Sequence, residues 1–400
     1  MNNGFQGKHK IIVPTIIITL LVIAAAYLFV SKFLPFEITF LPGEVNSGEL
    51  RKFNEVKDVL RQEYYTDLDV NKLIEGAIKG YVAAIGDRYT SYLTKAEWDA
   101  KKQKFAGEYT GIGISYYYDK KHRFAISEVL PNSPAQKAGI RVGDIFEKID
   151  GVIPIESSKE TGMSWNGKSK ITVVVFRPSD KTRSTKTIEI GTVVEINAYS
   201  KVIDGKVGYL DLRQFTDNID AEFLREIDKL TNKSIKGLII DLRNNPGGDL
   251  DQVVKISDFL LPKCTIVSVE HKNKPKEFYY SDEASYKLPV TVIVNGNSAS
   301  ASEVLSGALQ DNKRATLVGE KTFGKGLVQN TVELFDGSAI YYTSARYFTP
   351  NGICIHGIGI EPDMKVALPK EFQNMSVDEI PFDKDTQLQA ALKNIKSKIK

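Results

Sequence analysis

Three serines alternate with alanine in Asn295-Gly296-Asn297-Ser298-Ala299-Ser300-Ala301-Ser302-Glu303. Ahead of them runs Val290-Thr291-Val292-Ile293-Val294, a β-branched stretch that predicts a buried strand. Behind them Val304, Leu305, Ala308 and Leu309 fall at helical spacing. The serines therefore sit where a strand turns into a helix. A helix N-terminus offers unpaired N–H groups and a partial positive charge. A serine oxygen there could attack a carbonyl while neighbouring N–H groups hold the developing oxyanion. Plain N-capping, with Glu303 completing a capping box, is the rival reading, and this stretch alone does not choose between them.

A serine hydroxyl attacks well only when a base takes its proton. Gly296-Asn297-Ser298-Ala299-Ser300 lacks the last glycine of a Gly-x-Ser-x-Gly elbow. The histidines are His9, His122, His271 and His356, none at metal-ligand spacing from another, so no metal site is expected. His356, in a glycine-rich stretch, stays open as a base. The other candidate is Lys325, in Gly319-Glu320-Lys321-Thr322-Phe323-Gly324-Lys325-Gly326-Leu327-Val328-Gln329. Its flanking glycines permit close backbone approach. A lysine held in a partly dry site loses its preference for the charged form and can act as a base; a solvated surface lysine is the alternative.

The elements that must position these groups alternate. Val207–Leu212 reads as a strand, Ala221–Leu230 as an amphipathic helix, Gly237–Leu242 as an apolar strand, and Val253–Leu261 as a helix. The alternation predicts an α/β core with a largely parallel sheet, whose functional groups gather at strand C-terminal ends. Both the serine run and the turn Arg243-Asn244-Asn245-Pro246-Gly247-Gly248 lie at such ends. Residues 105–190 differ in character. Tyr109-Thr110-Gly111-Ile112-Gly113-Ile114, the strand Ala125–Leu130, Ser133-Pro134-Ala135-Gln136-Lys137-Ala138-Gly139 and Asp144–Gly151 together resemble a PDZ domain. The resemblance implies that Gly111, Ile112, Gly113 and Ile114 offer N–H groups to a peptide's C-terminal carboxylate, the peptide adding as a strand. Gly162-Met163-Ser164-Trp165-Asn166-Gly167-Lys168-Ser169 matches the phosphate-loop pattern, but Ile171–Phe176 after it reads as a strand where that motif requires a helix, which argues against nucleotide.

The totals set outer limits. Four hundred residues suit about two to three domains, and a net charge of +3 is too small to imply nucleic acid. Cys264 and Cys354 are too few for a disulfide scaffold; whether they pair stays open. Ile11–Val30 is a run without charge, long enough to cross a bilayer at ~1.5 Å per residue. Lys8, His9 and Lys10 before it place residues 1–10 in the cytoplasm, make 11–31 an anchor in the cell membrane, and put the remainder outside. A cleaved signal peptide is the rival, with Ser31-Lys32-Phe33-Leu34-Pro35 a poor cleavage site. Residues 48–100 read as a helical region, with Phe53, Val56, Val59, Leu60 and Tyr64 on a first helix and Leu73, Ile74, Ala77, Ile78 and Val82 on a second, suited to dimer contact. In 371–400 Leu388, Leu392 and Ile395 mark a basic amphipathic helix that docks on the core or on a second subunit.

Several motifs then occur together and in order. The serine run, Phe323-Gly324-Lys325-Gly326-x-Val328-Gln329, Tyr347-Phe348-Thr349-Pro350-Asn351-Gly352 and Gly357-Ile358-Gly359-Ile360-Glu361-Pro362-Asp363 resemble the carboxyl-terminal processing peptidases, tail-specific serine endopeptidases with a PDZ domain. The resemblance implies a crotonase/ClpP-like α/β protease core at 191–370 with a PDZ domain inserted at 101–190. It makes Ser300 the nucleophile and Lys325 the base, with Gln329 one helical or loop turn beyond to orient the amine. It makes the N–H of Ala301 and of Gly247 or Gly248 the oxyanion donors. Ser298 and Ser302 are then packing residues, Glu303 a capping carboxylate, and Asp311 and Glu320 structural. The implied substrates are proteins or peptides with free, apolar C-termini, with no metal or cofactor, and a homodimer is a family-based expectation. Lys159–Gly167 lacks the arginine that couples peptide binding to activation in several relatives, so gating is expected to differ. The alternatives are a PDZ-type scaffold with an inactive or conditionally active core, and a thioester-handling hydratase, which would need paired carboxylates and a coenzyme pocket.

Overall fold

The computed structural model describes residues 47–154, 168–283, 286–373, 375 and 377–399. The expected tail and anchor lie outside them, as do most of the phosphate-loop-like stretch and the segment lacking arginine. Among the described residues no helix is long and apolar enough to cross a membrane. The chain divides into two units, Met1–Ile74 and Glu75–Lys400. The first contains α1 (Ser47–Glu63), on which Phe53, Val56, Val59 and Leu60 are exposed. The next helix is α2 (Val70–Ala83).

In the second unit β1 (Ser91–Leu93) precedes α3 (Lys95–Phe105), which starts with a capping box between Thr94 and Glu97. Then come β2 (Glu108–Gly111), β3 (Ile114–Tyr118), β4 (Phe124–Val129), the short α4 (Pro134–Lys137), β5 (Ile145–Ile149), β6 (Lys170–Arg177) and β7 (Thr182–Glu189). Strands β3 to β7 form an antiparallel sheet in chain order, leaving β3 at an edge. Phe124, Ile126, Phe146, Ile171, Val173 and Ile188 give it a core of its own. Strand β8 (Gly191–Val194) pairs with β2 beside that sheet.

The remaining chain supplies β9 (Ala198–Ile203), β10 (Val207–Leu212), α5 (Ile219–Asn232), β11 (Gly237–Asp241), α6 (Leu250–Leu260), β12 (Thr265–His271), β13 (Glu277–Tyr280), β14 (Val290–Val294), α7 (Ala301–Asp311), β15 (Ala315–Gly319), β16 (Leu327–Glu333), β17 (Ala339–Phe348), β18 (Met364–Lys365) and α8 (Thr386–Lys398). The main sheet runs β18-β15-β14-β11-β10-β9, parallel except where β9 joins β10. Its inner strands are apolar throughout because both faces are covered. Leu238, Ile240, Val290 and Val292 pack with α5, α6 and α7 on one face. Ile239, Ile293 and Val318 pack with Leu388, Leu392 and Ile395 of α8 on the other. The expected docking of the last helix on the core is thus observed.

Two expectations change. A second, antiparallel sheet of β1, β17, β12 and β13, with β16 also paired to β17, stands beside the parallel one. Gln329 lies on β16, in register with Thr343, and not on a helical turn after Lys325; the β-branched and alternating Leu327–Val332 favours a ladder. Residues 91–93, within the helical region expected at 48–100, form a strand that pairs with β17.

Candidate active site

Parallel pairing of β11 with β14 brings the Asn-Asn-Pro-Gly-Gly turn and the serine run to one end of the sheet. Side chains then lock them together. Ser298 Oγ donates to the Leu242 carbonyl at 2.8 Å, Ser302 Oγ donates to the Asn245 carbonyl at 2.9 Å, and the Ala299 N–H donates to that same carbonyl at 3.0 Å. Ser298 and Ser302 are fully buried, as packing residues should be. Ser300 between them is half-buried, at φ 56° and ψ −116°, a backbone conformation costly for a residue with a Cβ. The handover from strand to helix imposes it and turns the Ser300 side chain out into a cleft.

The turn opposite needs glycine. At Gly247, φ 97°, a Cβ would lie 2.6 Å from the Ala299 carbonyl oxygen and 2.8 Å from the Ala301 nitrogen. At Gly248, φ 148°, it would lie 2.0 Å from the Phe215 carbonyl oxygen. The two N–H groups differ. That of Gly247 donates to Asn245 Oδ1 at 2.9 Å, while Asn245 Nδ2 donates to the Leu212 carbonyl at 2.8 Å. That of Gly248, like that of Ala301 in the first turn of α7, has no protein acceptor among the described residues. Gly248 and Ala301 are therefore the free donors beside Ser300, and Gly247 supplies room.

Glu303 does more than cap. Its buried carboxylate accepts from the Ser300 N–H at 2.9 Å, the Lys325 N–H at 2.8 Å, the Gly324 N–H at 2.7 Å and Thr322 Oγ1 at 2.5 Å. One side chain thus joins the backbone of the candidate nucleophile to that of the candidate base. Burial raises its carboxyl above the ordinary range, with these donors pulling the other way. The Tyr347 phenol donates to the Lys325 carbonyl and lies against the Ser300 hydroxyl; complete burial pushes it well above a normal phenol.

Lys325 Nζ sits 5.1 Å from the centre of the Tyr89 ring. Burial lowers its pKa, helped by the nearby cations Lys101 and Arg88 and opposed by Asp87 and Glu303. Ser300, Lys325, Gln329, Gly247 and Gly248 all line a cavity of about 350 Å³. No hydrogen bond joins Gln329 to Lys325 in this structure, and Gln329 Nε2 is buried without a partner. His356 is exposed, edge-on to Tyr89 with centroids 6.3 Å apart, and does not line that cavity. On the other side of Ser300 a cavity of about 430 Å³ is walled by Val269, Val304, Leu327 and Tyr347. His271 lines this second cavity, 3.7 Å from Glu277. Both cysteines are free thiols. Asp311 accepts from the Asn351 N–H and Glu320 from Gln387, structural contacts in both cases. Sequence reasoning missed Glu303's reach to Lys325, the phenol of Tyr347, and Arg88, Tyr89 and Lys101. Tyr347 stood in a recognised motif; the others carry no local signal.

At the edge of the smaller sheet Gly113 has φ 76°, and a Cβ there would lie 2.3 Å from Ser133 Cβ. The carbonyls of Ile112 and Gly113 accept from Ala135 and Leu130, while their own N–H groups have no backbone partner among the described residues. Gly111 and Ile114 end the strands on either side.

A parallel α/β core with a serine elbow, free N–H donors beside it and a partly desolvated lysine has the features of a serine-type hydrolase site. Comparisons with known proteins agree. Residues 206–366 match the model of Peptidase family S41, residues 41–97 the activating protease CtpB N-terminal domain, and residues 126–158 a PDZ domain. Over 395 residues the chain is 34% identical to a Staphylococcus aureus (strain COL) protein named "Probable CtpA-like serine protease", covering 97% of this chain and 77% of that one. A protein of the same name from Staphylococcus haemolyticus (strain JCSC1435) is 35% identical over 355 residues, 87% of this chain and 70% of its own. A solved S41 protease structure from Bacteroides fragilis NCTC 9343 shares the fold at a TM-score of 0.56 and 18% identity, covering 86% of this chain and 97% of that one. The chain belongs to peptidase family S41, and it is a serine protease with a PDZ domain.

Proposed function

We propose that this chain is a membrane-anchored serine endopeptidase that cuts extracytoplasmic proteins at or near exposed apolar C-termini through a Ser300/Lys325 dyad. The observation that carries the reading is that Ser300, Gly248 with its free N–H and a partly dry lysine line one cavity, with the free N–H of Ala301 next to Ser300 in the chain. Neutral Lys325 takes the Ser300 proton as Oγ attacks the substrate carbonyl. Gly248 and Ala301 N–H groups hold the oxyanion. On collapse the C–N bond breaks and the departing amine takes the proton from the Lys325 ammonium, leaving an acyl-serine. Water, deprotonated by the same lysine, then releases the acid. Gln329 is assigned the orienting role: with substrate bound, its Oε1 would accept from Lys325 and aim the lysine lone pair at Ser300, a bond not made in this structure. The cavity of Val269, Val304 and Leu327 takes an apolar side chain on the acyl side.

The loop Gly111, Ile112, Gly113 and Ile114 captures a tail carboxylate, with β3 free to accept a strand. The uncharged run Ile11–Val30 supports the anchor. The exposed apolar face of α1 supports a homodimer. The parallel sheet with the elbow at its C-terminal end supports assigning the core to the crotonase/ClpP-like type.

The test is cleavage of an unfolded protein with an apolar C-terminus by the full chain in detergent micelles, beside its Ser300→Ala and Lys325→Ala variants. Cleavage by the parent, and losses of several orders of magnitude in both variants, are expected. Activity surviving in Lys325→Ala would return the base to a histidine. Tail binding without cleavage by any form would favour the scaffold reading.

A further inference from the structure

The cavity around Lys325 is also lined by Arg88, Lys101 and Lys104, and among the described residues no carboxylate lines it. None of these four cations forms an ion pair among the described residues. Aromatic faces lie against three of them, Lys325 on Tyr89 as described above. Lys101 Nζ lies 4.0 Å from the Tyr341 ring centre and 5.1 Å from that of Phe105. Arg88 stacks at 4.7 Å on Tyr89 and 5.6 Å on Phe323, and donates to the Tyr89 hydroxyl. The nearby Asp87 is occupied: it accepts from the Tyr89 N–H at 2.9 Å, Thr90 Oγ1 at 2.7 Å and Thr343 Oγ1 at 2.6 Å. Across Ser300 the charge reverses, since Asp217, Asp249, Asp251 and Glu277 are among the residues lining the other cavity.

Like charges gathered in a cleft without counter-ions repel one another, and an anion entering that cleft relieves the repulsion. Position says which part of a substrate enters. The ammonium of Lys325 must give its proton to the departing amine, so its cavity receives the segment that leaves. We propose that Arg88, Lys101 and Lys104 form a carboxylate seat for the departing segment of the substrate, built for an acidic side chain just after the cut bond or for the free carboxylate of a short departing tail. The seat rests on the peptidase reading above for its direction, but its binding can be measured without cleavage.

The experiment uses the full chain carrying Ser300→Ala in detergent micelles and labelled peptides with one apolar sequence, read by fluorescence anisotropy. One pair carries Glu or Gln after the expected cut and ends in an amide, which removes the tail carboxylate from the PDZ loop. A second pair is neutral and ends in a free acid or an amide. Each is measured again with Lys101→Gln and Lys104→Gln added, and with Arg88→Gln alone, folding being checked by circular dichroism. We expect the carboxylate-bearing member of a pair to bind about tenfold tighter at low salt, the ratio falling toward one in the substituted chains and as salt rises. Loss confined to the Glu/Gln pair assigns the seat to side chains; loss confined to the acid/amide pair assigns it to tails. Equal binding within both pairs, or preferences that neither set of substitutions moves, would overturn the proposal. Cleavage of the neutral peptide by the parent chain, measured beside these, separates a failure of the seat from a failure of the peptidase reading.

Discussion

In the proposed dyad Lys325 is the base, and its burial beside other cations supports that role. Its neutral form is the competent one, so the rate rises as pH climbs through its pKa. Burial, Lys101 and Arg88 set that pKa below the usual value of about 10.4 for a lysine. The acid limb of kcat/KM against pH is therefore expected below the range of a free lysine. Lys101→Gln removes a repelling cation, raises the pKa and moves the limb to higher pH; a limb that stays put or moves down would disprove the assignment. Glu303 is the second residue with leverage. Glu303→Gln keeps the shape but turns an NH₂ toward N–H donors, leaving buried donors unpaired at about 1–3 kcal/mol each. A loss of stability of that order and a fall in kcat of at least tenfold are expected, read by urea unfolding and steady-state kinetics.

At the scale of elements, the site is two turns stapled across neighbouring parallel strands. Gly248→Ala would drive a methyl against the Phe215 carbonyl, and that backbone cannot yield without breaking the bridge between Phe215 and Gly248. Displacing that donor should cost about 10²–10³ in kcat while the cooperative unfolding transition persists. An unchanged kcat would remove Gly248 from the oxyanion role. In the PDZ domain Gly113→Ala combines a positive φ with a clash against Ser133. Binding of a free-acid peptide should weaken, while cleavage of a C-terminally amidated peptide should change little, measured side by side.

At the scale of the molecule, α8 closes the sheet face away from the catalytic cleft. Arg243, fully enclosed, donates to Asp241 Oδ2 at 2.6 Å and Asp385 Oδ2 at 2.8 Å, and Tyr209 donates to Asp241 at 2.7 Å. Burial works against the arginine's charge, but the two carboxylates hold it protonated well above its ordinary value. Arg243→Met leaves both carboxylates buried and unpaired, at a cost of about 3–5 kcal/mol. Leu392→Ala opens a void under α8 and costs about 2–5 kcal/mol. Because α8 does not line the cleft, thermal unfolding of Leu392→Ala should shift down while kcat/KM at low temperature stays near that of the parent.

Much was legible because the chemistry and the strands are local in sequence. Apolar β-branched runs marked β10, β11 and β14, glycines marked the turns that need positive φ, and the ordered motifs singled out Ser300 and Lys325. The PDZ domain was equally plain from its loop and short helix. The antiparallel sheet was not, since β13, β16 and β17 are largely half-buried or exposed and carry mixed polarity, so no sharp period betrays them. That the Gly247 N–H is taken up was visible only through the Asn245 side chain, and that Lys325 lines the cavity while His356 does not was visible only in the fold. The meeting of Glu303 with the Lys325 backbone, and of Arg88, Lys101 and Lys104 around one space, joins residues far apart in the chain. The sequence by itself determined which groups were available and which local turns they would occupy, because propensity and steric freedom act over a few residues. Only the tertiary structure decided which N–H groups stay free, how dry the lysine is and what charge surrounds it, because desolvation and Coulomb forces depend on distance in space.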